Sequence, residues 1–330
     1  MSRGTAGARR PRVLLASGPV GSVLPRQAAV ALAQGFAPRA DAAVIGLAEG
    51  GVALGATLTD PGGELELLHS GWVARRDDLL VLGVADEPAP APLTGGTGAL
   101  GRLLCYALAG GAPQRVVLDL TGATGHDAGQ GFLAELGDTE RAVLAGCELT
   151  AVVAPGEQHD QLLGLRGVTS RRGRAAAVSA ERMLAVDAAL ERFTATLDPA
   201  LARADGAGAA GGLGFAVLAL GGRLASGAAL GADLGGIDRA VAAADLVVTA
   251  CDSFDFGTRG GGVVAELAAR CEASEVPLVV VSPVVEVSGR EMRTFGVESA
   301  HPLPPALGTA AALTATACRL AEGWYPSGPR

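Results

Sequence analysis

The chain has 330 residues and 32.7 kDa, enough for about two domains, and its 49% apolar against 18% charged residues fill sizeable cores, which excludes a disordered or fibrous chain. All 26 basic residues are arginine. With neither lysine nor asparagine present, a phosphate-loop GK[ST] motif, a Schiff-base or general-base lysine, a glycosylation sequon and any Asn ligand are excluded. A net charge of −8 and a pI near 5.1 speak against a nucleic-acid partner, whose phosphates need a basic face.

From the N-terminus, Arg3, Arg9, Arg10 and Arg12 form a basic cluster, and the apolar stretch Val13 to Ala16 is soon broken by Gly18, Pro19, Gly21 and Pro25. Residues 1–11 therefore read as a disordered tail rather than a signal peptide. Strand (Val13 to Ala16), helix (Pro25 to Gly35) and strand (Ala42 to Leu47) make a βαβ opening, which predicts a parallel sheet. Between Val52 and Val84, short apolar pieces separated by Pro61-Gly62-Gly63 and Arg75-Arg76-Asp77-Asp78 have the texture of hairpins and of a second domain beginning. Asp86 to Pro92, with a proline at every second position, reads as a stiff linker.

Gly98 to Ala109 predicts a helix and Arg115 to Leu120 a buried strand. That strand runs into the glycine-rich turn Thr121 to Gly129 and then a helix from Gln130 to Leu136, a setting where backbone amides and the helix dipole favour anions. Met183, Val186, Leu190, Phe193 and Leu197 recur at steps of three and four behind a candidate cap, Ser179, and predict a packing helix over 180–197. The apolar run Gly206 to Gly222 suits a buried helix better than a membrane span. Its GAGAAG satisfies the dinucleotide fingerprint GxGxxG but lacks the preceding strand that the fingerprint needs. The last third returns to α/β texture, with strands Leu246 to Thr249 and Pro277 to Ser282 and helices Val263 to Ala273 and Ala306 to Glu322. Five scattered cysteines without CxxC spacing fit reduced thiols in a cytoplasmic protein.

Polar residues at the C-terminal ends of parallel strands are the candidates for chemistry. Glu49, Asp127, Asp252 and Asp255 meet that test, each against a plain role in helix capping or loop solvation; His126 and the pair His159-Asp160 are weaker candidates, and Gly257 and Gly260 to Gly262 form a loop after the strand ending at Thr249. Asp205-Gly-Ala-Gly-Ala-Ala-Gly-Gly-Leu-Gly-Phe215 resembles the PGAGAAGGLGF of the type I glycerate kinases, and Ala244 to Thr249 is similar to the start of their ADLVITGEGRxD. Thr94 to Gly98 is similar to their TYGTGE, Val117 to Gly137 to GIGGSATNDGGAGMLQALG, and Leu162 to Gly167 to the end of NPLLGPRGA.

This resemblance runs over nearly the whole chain. It implies transfer of the ATP γ-phosphoryl group, with Mg²⁺, to D-glycerate or a related hydroxy acid. It also implies an α/β fold of two domains: a Rossmann-like parallel-sheet domain from both chain ends (12–51 and 240–330), an inserted α/β domain (52–239), and a ligand cleft between them. Carried over by motif, Asp127 and Asp255 are the catalytic candidates, and Glu49, Gly129, Gly208, Gly211 and Thr249 the substrate or phosphate-binding candidates, with nucleic acid and membrane excluded as partners.

The charged positions depart from the family's pattern. PDSFKGS appears as Ser17-Gly-Pro-Val-Gly-Ser22, DGGEGT as Glu49-Gly-Gly-Val-Ala-Leu54, and GEGRxD as Ala250-Cys-Asp-Ser-Phe-Asp255, while a downstream family lysine falls on Gly262. Two readings follow: a divergent phosphotransferase in which Arg102, Arg166 or Arg259 replaces lysine, and a catalytically inactive or repurposed member that binds a small molecule or a protein.

Overall fold

A computed structural model of the chain describes residues 9–85 and 91–326. Most of the expected tail and of the proline linker lies outside the described residues; at the tail's end, Arg9 pairs with Asp245 at 2.7 Å and Arg10 with Asp41 at 3.5 Å. The chain divides into two compact units, one formed by residues up to Ala48 together with those from Ala228 onward, the other by Glu49–Gly227. The boundaries thus fall after Ala48 rather than residue 51, and after Gly227 rather than residue 239. The second shift has a packing cause, because Ala228 and Ala232 lie in the core of the first unit.

In chain order the strands are β1 (Arg12–Ser17), β2 (Asp41–Gly46), β3 (Glu64–Leu68), β4 (Gly71–Arg76), β5 (Leu79–Val84), β6 (Arg115–Asp119), β7 (Glu148–Val152), β8 (Arg223–Ala225), β9 (Leu246–Ala250), β10 (Ser253–Phe254), β11 (Leu278–Ser282), β12 (Val284–Val285) and β13 (Ser299–Pro302). The first unit is built on a wholly parallel sheet in the order β13-β11-β9-β1-β2. Its central strands are continuous apolar runs because both faces are covered. Helices Pro25–Phe36 and Thr309–Trp324 put Leu32, Phe36 and Leu313 against Leu15, Val248 and Val279; helix Gly261–Ala273 puts Val264 and Leu267 against Leu14, Val247 and Val280. From β1 the chain moves outward to β2, and from β9 it moves the opposite way to β11 and β13. The order therefore reverses between β1 and β9, where open α/β sheets leave a crevice at their C-terminal edge.

The second unit carries a six-stranded sheet, β3-β4-β5-β6-β7-β8, antiparallel from β3 to β5 and parallel from β5 to β8. The hairpin texture is thus a three-stranded meander, with β4 and helix Gly51–Leu58 as elements the sequence reading did not resolve. Leu82, Leu104, Leu118, Phe132, Leu213 and Val217 share its main core. Helix Ala180–Ala195 forms as expected, Ser179 Oγ accepting from Arg182 N at 3.3 Å, with Val186 and Leu190 turned inward. One expectation needs correction. The run from Gly206 is not helical from its start, since Ala210, Gly211 and Gly212 are left-handed (φ 48°, 70° and 98°) and the regular turns of helix Ala209–Ala219 begin only beyond them.

Candidate functional site

At the C-terminal edge of the first unit, the loops that follow β1 and β9 meet over the reversal of strand order. Ser17, buried at the end of β1, donates its hydroxyl to the Gly18 carbonyl at 2.9 Å and the Ala250 carbonyl at 3.5 Å. The Gly21 amide donates to Asp252. A short parallel pairing of β10 with β12 ties the chain beyond β9 to the chain beyond β11. Asp255 follows it and accepts from the Ser253 hydroxyl and from the amides of Gly257 (2.7 Å) and Thr258 (2.8 Å). The Ser253 hydroxyl first, and then these amides, hold its carboxyl below the usual aspartate range.

The loop enters helix Gly261–Ala273 through Gly260 and Gly261, both left-handed, and its N-cap residue, Gly260, has no side chain to cap it. Arg259 lies with its guanidinium 4.8 Å from the centre of the Phe295 ring. Thr249 is wholly buried, and strand alternation puts it on the face of Val247, beneath this helix; its Oγ1 has no hydrogen-bond partner among the described residues.

In the second unit, four donors converge on Asp127. Oδ1 accepts from the Thr97 hydroxyl (2.9 Å) and the Gly129 amide (3.0 Å), Oδ2 from the amides of Thr97 (2.9 Å) and Gly131 (3.0 Å). Thr97 Oγ1 in turn accepts the Phe132 amide at 2.9 Å. A carboxylate has about four lone-pair sites, and here each is engaged, so Asp127 clamps the Thr94–Gly98 loop to the glycine-rich turn. The catalytic role expected of Asp127 meets a side chain occupied in holding its own loop.

His126, beside it, is 6% exposed; its Nε2 lies 3.0 Å from Thr169 Oγ1, and Nδ1 has no partner among the described residues. Burial first, and then the charge of Arg172, lower its pKa to about 4, so the ring is neutral at pH 7. Arg172 donates Nη1 to the Gly125 carbonyl at 3.3 Å and lies 3.8 Å from Glu157, whose Oε2 accepts the Ala210 amide at 3.0 Å. A Cβ on Gly211 would run into the Gly125 carbonyl, one on Gly208 into the Gln161 carbonyl, and one on Gly129 into Ala216. These glycines let three backbone segments touch, which is what the structure shows of their role.

Beyond Glu49, the Gly51 amide donates to Asp119. Asp119 ends β6 almost fully buried and accepts from Thr121 N (3.0 Å) and Thr121 Oγ1 (2.7 Å). Sequence reasoning passed over Asp119. The available signal was a carboxylate following the apolar run Val116, Val117 and Leu118 at the C-terminal end of its strand, Arg115–Asp119.

Asp127, Gly129, Gly208 and Gly211 thus belong to one group of packed loops, Glu49 to the same unit, and Thr249 and Asp255 to the other unit. Of the arginines expected in place of lysine, Arg102 is engaged by Glu135 at 2.6 Å, Arg166 is an exposed residue, and Arg259 lies on the switch-point loop. His159 and Asp205 form an exposed pair at 3.4 Å. Among the described residues no three His, Cys, Asp or Glu side chains gather as a metal site, and no helix is long and apolar enough to cross a membrane.

The sequence model of the glycerate kinase family matches residues 138–323, more than half of the chain. The chain belongs to the glycerate kinase family. An uncharacterized protein of Mycobacterium bovis is 32% identical over 247 residues, 73% of this chain and 63% of that protein, and an uncharacterized protein of Mycobacterium tuberculosis matches equally. A glycerate kinase of Bacillus cereus is 27% identical over 236 residues, 63% of this chain and 62% of that enzyme. The chain therefore spans somewhat under two thirds of the length of these relatives. A putative glycerate kinase 2 from Salmonella typhimurium LT2 superposes with a TM-score of 0.77 over 96% of this chain and 98% of its own, at 20% identity, a likeness of fold. The α/β class with parallel-sheet domains, expected from the family's motifs, is the one observed.

Proposed function

We propose that this glycerate kinase family member transfers the γ-phosphoryl group of ATP to D-glycerate or a related small hydroxy acid, and that the first unit receives the nucleotide's phosphates at its switch point. One observation carries the reading: the loops after β1 and β9 are joined there by Ser17–Ala250 and Gly21–Asp252, where the chain enters helix Gly261–Ala273 through the left-handed Gly260 and Gly261. The positive end of the helix dipole favours phosphate there, and Gly18, Gly260 and Gly261 allow close approach of the chain. Arg259 is the cation of this loop and takes the place of the missing lysine. Asp255 holds the turn that presents it.

The Mg²⁺ implied by the family would neutralise charge on the phosphoryl oxygens. Mg²⁺ takes most of its oxygens from phosphate and water. Asp127, all of whose lone-pair sites are engaged, does not fit a ligand's role, whereas Asp255, held by three donors with only the Ser253 hydroxyl on Oδ2, keeps one site for the ion or its water. A second reading, a member that binds nucleotide or acid without turnover, is favoured by that same engagement of Asp127 and by the absence of lysine.

With Mg-ATP and D-glycerate, the purified chain is expected to release ADP, and Asp255→Ala to slow release about 100-fold or more. ADP release at the no-enzyme rate overturns the transfer reading. A melting temperature raised by ATP without turnover then establishes the second reading.

A further inference from the structure

β13 is the outer strand of the first unit's sheet, and its C-terminal residues His301 and Pro302 flank a cavity of about 580 Å³ shared with helix Thr309–Trp324. Thr316, Arg319, Leu320 and Trp324 complete its principal lining. β11 separates β13 from β9, so at roughly 4.8 Å per strand the cavity lies about 10 Å or more to the side of the switch point. None of its residues belongs to the site described above.

The lining has one sign of charge. Arg319 donates Nη2 to Thr316 Oγ1 at 3.1 Å, and no carboxylate lies within ion-pair distance of it among the described residues. Arg270, by contrast, is taken by Asp233, Asp238 and Glu266. Among the described residues no acidic side chain lines the cavity. His301 Nε2 lies 3.0 Å from Ser299 Oγ, and burial first, then the charge of Arg319, lowers the pKa of its imidazole, which disfavours a second cation beside Arg319. The apolar part comes from Leu320, 6% exposed, and from Trp324, 36% exposed where the chain's other tryptophan, Trp72, is 3% exposed.

A guanidinium free to take a planar anion, next to an indole and a leucine, recognises an anion attached to a flat apolar ring. We infer that this cavity is a second ligand site, separate from the phosphoryl-transfer site, for a small aromatic carboxylate. Its volume is in the range of small-molecule sites and suits one or two fused rings.

Calorimetric titration of the full chain with benzoate and 1-naphthoate tests this, with benzyl alcohol and acetate as probes lacking one half of the recognition. Saturable binding of the aromatic carboxylates is expected, at least about tenfold tighter than benzyl alcohol or acetate. Arg319→Gln and Trp324→Leu, both at exposed positions, are expected to weaken it by about tenfold or more each, with unchanged melting temperatures. Saturating ADP is expected to leave it unchanged. Absence of saturable binding up to about 10 mM, equal binding by both variants, or displacement by ADP would each overturn the inference.

Discussion

Asp127 and Asp255 sit in different units, yet each carboxylate spends its oxygens on backbone amides two to four residues ahead and on a hydroxyl, of Thr97 for the first and Ser253 for the second. An aspartate so used fixes a loop, and its removal leaves several amides unpaired together. Asp127→Ala is expected to cost about 2–4 kcal/mol of stability, read from urea unfolding, with Asp127→Asn recovering part of it because one amide oxygen remains. A variant as stable as the parent would show that the clamp contributes nothing.

His126 gives a pH signature. Its pKa falls from 6.5 to about 4 on folding, so its contribution is whole above pH 6.5 and is lost as the pH drops towards 4, by about 3 kcal/mol in all. Between pH 7 and 5 the parent should therefore lose about 2 kcal/mol more than His126→Gln; equal losses would contradict a neutral buried ring.

Among the elements, those with unbroken apolar runs were legible, because a strand covered on both faces has only one composition available to it. β1, β6, β9 and β11 are of this kind. β8, β10, β12 and β13 were not, being two to four residues long and specified by the neighbours they pair with. The Gly206–Gly212 segment misled in another way, since its alanines and glycines fit a helix equally well. What decides it is non-local: the Gly125 carbonyl and the Ala128 backbone press against Gly211 and Gly212. Gly211→Ala is accordingly expected to lose about 3 kcal/mol or more, or to fail to fold, from a steric clash added to a left-handed φ of 70°. Gly289→Ala, at a helix start with open space around it, should stay within about 0.5 kcal/mol of the parent in the same unfolding experiment.

At the scale of the molecule, the candidate site was legible in part. Motifs located the loops at the sheet edges but not what their side chains do there. Asp127 matches the family's aspartate in sequence and is a clamp in space; Asp119, matched to nothing, receives the Gly51 amide just beyond Glu49. A chain with no lysine has only arginine to meet phosphate, and of the three arginines considered, Arg102 is held by a carboxylate, Arg166 is an exposed residue, and Arg259 lies on the switch-point loop. Arg259→Ala should therefore weaken ATP binding about tenfold or more by calorimetry, with no such effect from Arg102→Ala. Phosphoryl transfer itself is tested most directly by following ³¹P resonances in a mixture of the purified chain, Mg-ATP and D-glycerate. A new phosphomonoester signal growing in step with ADP is the predicted result; an unchanged ATP spectrum, with no phosphomonoester beyond the enzyme-free control, would contradict it.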